Sequence, residues 1–495
     1  MDALAPLMNG FAAALTPTHI ALCFVGVLLG QIVGVLPGIG PAAAIALLLP
    51  ITFGMDATGA IIMFAGIYYG SQYGGTLTSV LISVPGESST VMTAIDGYQM
   101  ALQGRAGVAL GIAAIGSFIA GTIGTIGLIL VAPPLAKMAL AFGPPEYFAL
   151  VLLGLMALAA VGGSLMKGLT AGVAGLALGT MGIDPQVGVP RYDFGQIWLL
   201  DGLEFIVLTV ALFGLGEVLG GCNAGVARPV AKVTNVLPSR AEWRQSRMPI
   251  LRGSVIGFTI GVLPATGATI ASFVAYIVEK KLAKDPSRFG KGAIEGVAGP
   301  EASNNAAAAG AMVPMLSLGV PGSGTTAVIL GALIMFGVRP GPEMFTTNAD
   351  LVWALIASML IGNLLLLIMN LPLAGFFAKL LMVPYSWLYP PILALCIAGV
   401  YSQSNSVEDA WLLVGFGALG WLMKRYDWPM PPMILGLVLS PLFETSLRQS
   451  LTLSLGDPMI FVARPLSAAL LACAALAVVV PIGMVLWRKL RGGLA

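Results

Sequence analysis

Two apolar stretches, half a chain apart, are broken by the same proline-centred phrase. Gly30 to Pro41 reads GQIVGVLPGIGP and Gly257 to Ala268 reads GFTIGVLPATGA, with six positions identical. Each is followed by a second shared phrase, VPGESST from Val84 and VPGSGTT from Val320. Duplication of one unit explains both coincidences. Proline removes a helix hydrogen bond and leaves backbone carbonyls free. Gly/Pro-interrupted apolar segments at matching places in two halves point to the binding site of a membrane transporter.

Membrane is the solvent that the composition requires. Apolar residues make up 58% and charged residues 9% of the 495 residues, with a mean hydropathy of +0.94; a soluble domain carries roughly 25% charge. At about 20 apolar residues per crossing, the chain has room for roughly ten to thirteen hydrophobic passes. The sequence therefore predicts an all-α polytopic membrane protein, because irregular backbone and open sheet edges are excluded from lipid. Passes are expected near 18–36, 40–54, 57–84, 106–132, 146–182, 199–222, 253–278, 294–320, 324–337, 351–372, 388–420, 431–443 and 465–487. Several are too short or too long for one clean span, as re-entrant hairpins and broken helices would be. The long polar connection 223–252 divides a first membrane repeat, 1–222, from a second, 253–495.

Charge placement gives orientation. Arg228, Lys232, Arg240, Arg244, Arg247 and Arg252 crowd one loop and Lys280, Lys281, Lys284, Arg288 and Lys291 the next, eleven of the 24 cationic residues. Both loops, and the tail with Arg488, Lys489 and Arg491, are expected to be cytoplasmic. A single crossing over 253–278 would place one basic loop outside. A helix that breaks at Leu263-Pro264-Ala265-Thr266-Gly267 and turns back, with arms of about ten to fourteen residues or roughly 15–21 Å, keeps both inside. Its counterpart around Leu36-Pro37-Gly38-Ile39-Gly40 has no Lys or Arg on either flank, which suits entry from the outer face and makes the repeats inverted. The N-terminal MDALAPLMNGF lacks the basic region of a cleaved signal peptide and is expected on the membrane surface. Net charge is only +2, without the basic stripe that nucleic acid needs. Cys23, Cys222, Cys396 and Cys473 stand apart in apolar runs and read as buried structural thiols.

The shared phrases carry the candidate chemistry. Pro321-Gly322-Ser323-Gly324-Thr325-Thr326 leads into the apolar run AVILGALIMFG, a helix start whose amides and dipole favour an anion. Gly86-Glu87-Ser88-Ser89-Thr90 is the first-half equivalent. Ser and Thr here equally suit plain helix capping. A carboxylate at Glu87 would compete with an anionic ligand unless it caps a helix or holds a cation. Ahead of each VPG lies a polar patch, Tyr68, Tyr69, Ser71, Gln72, Tyr73, Thr76 and Thr78 in one half and Ser303, Asn304 and Asn305 in the other. Such groups either hydrogen-bond between helices or line a substrate or ion path. The Gly30/Gly34 and Gly257/Gly261 spacings equally fit close helix packing. Chemistry of other classes lacks its parts. FGKGA at Phe289 has neither the upstream Gly nor the Ser/Thr of a phosphate-binding loop, and the single histidine, His19, is far in sequence from any serine that could act as a nucleophile.

The stretches GVLPGIGPAAAIALLLPITFG, AGIYYGSQYGGTLTSVLISVPGESS, TAIDGYQMALQGRAG, GVLPATGATIASFVAYIVEKK, FGKGAIEGVAGPEASNNAAAAGAMVPMLSLGVPGSGTTAVILGAL and VRPGP resemble the large membrane subunit of the tripartite tricarboxylate transporters over nearly the whole chain. The resemblance implies a non-enzymatic permease of the bacterial inner membrane. It would work without a cofactor, by alternating access of an elevator type, using Na⁺ or H⁺ as coupling ion. Its partners would be a small four-helix membrane subunit and a periplasmic solute-binding protein, its substrates citrate-like carboxylates. A passive channel and a self-sufficient secondary transporter are the alternatives. Carried over to this chain, Asn304, Asn305, Pro321, Gly322 and Ser323 are expected to contact substrate, joined by Thr325, Gly86, Ser88 and Ser89 from the anion argument. The two LPG-type loops, Pro37, Gly38 and Gly40 and then Pro264, Thr266 and Gly267, are expected to bind the cation. Ala265 stands where the first loop has Gly38, so the two loops are not strictly equivalent.

Overall fold

The computed structural model describes residues 4–36, 40–161, 164–184, 186–221, 233, 235–264, 267–380, 389–404 and 406–492. Of the expected site residues, Pro37, Gly38 and Thr266 lie outside the described residues, as does Cys222. The chain is built of α-helices, and a two-stranded hairpin of β1 (Gly182–Ile183) and β2 (Pro190–Arg191) is the sheet among the described residues.

In the first half, α1 (Leu4–Ala14) is followed by α2 (Pro17–Val35), a break at the proline phrase, and α3 (Pro41–Leu48) with a 3₁₀ turn to Thr52. Then come α4 (Ala57–Ile82), α5 (Val91–Leu102), α6 (Ala106–Ala139), α7 (Pro144–Val161) and α8 (Leu165–Leu178). The hairpin loop leads into α9 (Phe205–Thr209), a π-helical turn at Val210–Leu215 and α10 (Gly216–Gly221). The second half opens with α11 (Arg240–Val262), breaks at the second proline phrase, and continues as α12 (Gly267–Leu282), α13 (Glu295–Leu318), α14 (Gly324–Met335) and α15 (Met344–Thr347). It closes with α16 (Ala349–Leu380), α17 (Tyr389–Ser404), α18 (Val407–Arg425), α19 (Pro431–Leu453), α20 (Ile460–Ala463) and α21 (Pro465–Gly492).

Most of these positions follow the expected passes, but α5 lies outside all of them, the expected pass 388–420 falls on two helices, α17 and α18, and two further departures are instructive. The arm entering the second break is 23 residues long, well beyond the expected ten to fourteen. A capping box between Ser239 and Glu242 starts α11 inside the stretch expected to be polar linker, and exposed Arg240, Arg244 and Arg247 extend the helix past its apolar part. The expected pass 146–182 is two helices, α7 and α8, in close antiparallel contact where Gly168 meets the Ala159 carbonyl. By length and composition α2, α6 and the Ala349–Lys379 part of α16 can each cross a bilayer alone. Cys23 and Cys396 are buried, whereas Cys473 is exposed on α21, contrary to the expected burial. The helix α1 lies against α16, where Gly10 leaves no room for a side chain beside the Trp353 backbone.

At the centre stand α4 and α13, with every residue from Gly59 to Leu81 and from Gly296 to Ser317 buried. Each receives the broken helix of its own repeat through a line of glycines. A Cβ on Gly26, Gly30 or Gly34 would sit 2.3 Å from the carbonyl oxygen of Met63, Ile67 or Ser71. On Gly253, Gly257 or Gly261 it would sit 2.3, 2.1 or 2.4 Å from that of Gly299, Ser303 or Ala307. One packing solution is thus used twice, and those glycines serve close helix approach. The VPG phrases repeat the pattern, since a Cβ on Gly86 would lie 2.6 Å from the Gly75 Cα and one on Gly322 2.6 Å from the Ala311 Cα. Contacts between the central helices run in opposite order: Tyr68 reaches Ser323 beyond the end of α13, while Thr76, two turns further along α4, reaches Glu301 near its start.

Candidate functional site

The second proline phrase, both VPG phrases and the helix start after the first proline phrase line one cavity of 280 Å³. Its wall takes Ala42 from the start of α3, Ser88 and Ser89 from the turn entering α5, Gly267, Ala268 and Thr269 from the start of α12, and Ser323, Gly324 and Thr325 from the start of α14. Pro431 and Pro432 from the start of α19, with Tyr68, Gln72, Glu87, Leu158 and Pro429, complete it. The sequence places these starts by simple means. Pro41 and Pro431 occupy the first turn of their helices, where the missing N–H is no loss. Gly267 adopts φ +61° between the break and α12, a conformation that favours glycine. Ser323 caps α14, accepting from the Thr326 amide at 3.2 Å while the Thr326 hydroxyl accepts from the Ser323 amide at 2.8 Å.

Helix starts gathered around one space favour negative charge through their dipoles, while Pro41, Pro431 and Pro432 bring no N–H of their own. Among the described residues no Lys or Arg lines the cavity; its polarity comes from hydroxyls, amides and backbone. Ser88 and Thr269 meet across it at 2.8 Å, and the Tyr68 hydroxyl lies 3.3 Å from the Ser323 hydroxyl. Each contact joins the two halves. Ser89 donates to Gln72 Oε1 at 2.7 Å and is also 3.0 Å from Glu87 Oε2. Glu87, the awkward member of the sequence reading, lines the cavity, so an anionic ligand would meet it there.

Of the expected substrate residues, Ser88, Ser89, Ser323 and Thr325 come together in this wall. Gly86 and Gly322 stand behind it, pressed on Gly75 and Ala311, and Pro321 sets the turn before Gly322. Asn304 and Asn305 are elsewhere. The Asn305 Nδ2 donates within the interior to Ser117 Oγ at 2.8 Å and Asn304 Oδ1 at 2.7 Å, tying α13 to α6. Neither amide lines the cavity in this conformation. Of the expected cation loops, Gly267 lines the cavity, Gly40 caps α3 with open space about its Cα, and Pro264 follows the end of α11.

Sequence reasoning missed Glu301. Its carboxyl is fully buried on α13, accepting from the Thr76 hydroxyl of α4 at 2.6 Å and from the Thr93 hydroxyl of α5. An ionisable residue in the small, apolar run AGPEASNNAAAAG was the available signal, since such groups within membrane spans are rare and functional. Asp96, also buried, is a different case: its Oδ1 accepts from the amides of Gly290, Gly292 and Ala293 at 2.8–2.9 Å, and its Oδ2 from Tyr276 at 2.9 Å. The FGKGA segment is therefore an anion cradle filled by the chain's own carboxylate.

An uncharacterized 52.8 kDa protein of the TAR-I ttuC' 3' region of Agrobacterium vitis is 48% identical over 483 residues, 97% of this chain and 96% of that protein. A second protein, from the TAR-II ttuC' 3' region of the same organism, is 47% identical over 215 residues, 43% of this chain and 89% of its own length. No solved structure matches. Residues 20–435 match the family described as the tripartite tricarboxylate transporter TctA family, and with both proline phrases, both VPG turns and the cavity between them inside that span, the chain belongs to this family of membrane transporters.

Proposed function

We propose that the chain is the large permease subunit of a binding-protein-dependent secondary transporter that imports citrate-like tricarboxylates or related carboxylates across the bacterial inner membrane. The observation that carries the reading is the cavity: helix starts and hydroxyls from both halves face one space, with no Lys or Arg in its wall among the described residues. Carboxylates are held there by amides and helix dipoles, and the lack of a permanent ion pair suits a ligand that must leave again. Family membership supports the same substrate class. Import is driven by a Na⁺ or proton gradient and proceeds by alternating access, in which one packed unit of the repeats moves against the rest. Support for inversion of the repeats comes from the opposite order of contacts along α4 and α13. Ligand capture and stable assembly fall to a periplasmic binding protein and a small membrane subunit.

Reconstitution tests the reading. Vesicles holding this chain with the small subunit are expected to accumulate labelled citrate or another carboxylate at low micromolar concentration only when the binding protein and a cation gradient are both supplied. Flux that neither saturates nor needs a gradient would establish a passive channel. High-affinity uptake by this chain alone would establish a self-sufficient transporter.

A further inference from the structure

The buried carboxyl of Glu301 has a hydrogen-bonding arrangement that one proton can reverse. Thr76 Oγ1 lies 2.6 Å from Glu301 Oε2 and 3.1 Å from the Gln72 carbonyl oxygen. A hydroxyl has one proton and cannot donate to both. With Glu301 charged, Thr76 donates to the carboxylate. With Glu301 protonated at Oε2, the acid donates to Thr76 Oγ1, and the Thr76 hydroxyl turns to donate to Gln72. Both states are satisfied by the same heavy atoms. Among the described residues no Lys or Arg pairs with Glu301, unlike Glu279, which Arg252 holds at 2.8 Å. A buried carboxylate without a counter-ion is costly, so a group built to be charged permanently would have one.

A second observation points to the same carboxyl. The side chain of Asn304, one turn along α13, approaches Glu301, yet its buried Nδ2 meets no acceptor in hydrogen-bonding geometry among the described residues. It is a spare donor beside a group that becomes anionic when the proton leaves. Location supplies the consequence. Thr76 and Thr93 belong to the first repeat and Glu301 to the second, so the carboxyl ties the halves together. Charge-assisted hydrogen bonds are roughly twice as strong as neutral ones, so protonation loosens that tie. One turn before Thr76, the Gln72 side chain lines the cavity.

We propose that Glu301 is the proton-binding group of the transport cycle, taking up a proton in one access state and releasing it in the other while Thr76 exchanges its acceptor. This rests on the transport reading above and names the proton as the coupling ion. The ionisable groups on the neighbouring helices are held in several ways. Asp96 on α5 is saturated by three amides and Tyr276, and Tyr73 on α4 donates to the Leu110 carbonyl of α6. Glu279 on α12 pairs with Arg252 on α11, while Glu87, in the cavity wall, accepts from Ser89 and, like Glu301, has no Lys or Arg partner among the described residues.

The test compares wild type, Glu301→Gln and Thr93→Val in two measurements. In vesicles with the small subunit and binding protein, an imposed pH gradient is expected to drive labelled citrate accumulation by wild type. Glu301→Gln should lose that accumulation while keeping citrate–citrate exchange. Thr93→Val, which removes one donor to the carboxylate and leaves the acid in place, should move the midpoint of the uptake–pH profile to higher pH by about half a unit or more. In infrared titration of the purified chain, a protonated-carboxyl band should vanish in Glu301→Gln and titrate over the range in which uptake changes. Accumulation driven by the pH gradient in Glu301→Gln overturns the proposal, and so does the lack of a Glu301-dependent band at every pH. If Glu301→Gln does not fold, an unmoved profile in Thr93→Val overturns it. A wild-type complex that moves no carboxylate under any gradient sinks the transport reading instead, while the infrared titration still decides whether Glu301 takes up a proton.

Discussion

A Cβ at Gly257 would lie 2.1 Å from the Ser303 carbonyl oxygen, and at Gly30 2.3 Å from that of Ile67. The obstacle is helix backbone in both cases, so no side-chain rotation can relieve it. Gly257→Ala and Gly30→Ala are each expected to destabilise the fold by about 1–3 kcal/mol or more, read as earlier thermal unfolding in detergent than Gly415→Ala, where an added Cβ meets nothing within 4 Å. A mutant that unfolds with wild type would remove the packing role. From sequence these glycines fitted packing and function alike, because spacing alone does not say what faces a helix. Ser323 shows the same limit in reverse. Its sequence context offered either a cap or a ligand contact, and the folded chain has it capping α14 with its hydroxyl at the cavity.

Among the elements, the loop from α8 to α9 is the one whose structure was least legible. Its strands are two residues each, too short for any alternation to register, and charges distant in sequence hold them. Asp184 accepts from the Gln186 amide at 2.8 Å and from Arg448 at 2.8 Å, while Arg191 pairs with Glu444 at 2.6 Å. The Gln186 amide, the Arg448 hydrogen bond and the charge of Arg191 hold the Asp184 carboxyl below the usual carboxylate range. A lowered value means that the hairpin's stabilisation is fully present above the ordinary aspartate pKa of about 4 and lost as pH falls through the lowered one. Hydrogen exchange at the Gln186 and Val187 amides is therefore expected to stay slow relative to Asp184→Asn down to mildly acid pH and to converge with it only below that range. Equal exchange at neutral pH would remove Asp184 from the lock. The long helices were far more legible, since uninterrupted apolar runs such as 106–132 have no other way to satisfy their backbone in lipid.

At the scale of the molecule, both proline-broken segments return to the side from which they start. His19 at the entry of α2 lies 3.1 Å from Asp56 at the cap of α4, and Arg252 on α11 holds Glu279 on α12. Cysteines placed at Arg244 and Lys284 should therefore both react only with cytoplasmic reagent, and cysteines at Thr18 and Asp56 both only with external reagent. Labelling of either pair from opposite faces would turn that hairpin into an ordinary span. The basic residues of 228–252 and 280–291 supply the expected sign of orientation, and Arg105, paired with Glu242 at 2.9 Å, places the start of α6 on the same side as the start of α11.

The sequence by itself determined the solvent, the helical class, the doubled unit and the repeated phrases, because each is a local property: apolar run length, proline position, a repeated string. It also pointed to hydroxyls at helix starts as the anion chemistry. Only the tertiary structure decided that α3 and α19 add their N-termini to the same cavity, that Asn305 is spent on Ser117, and that Thr76 and Thr93 meet Glu301 from the other repeat. Those contacts join residues whose separation in sequence carries no periodic signal. Their partners are chosen by how α4, α5 and α6 lie against the buried α13, whose polar side chains have no water to satisfy them.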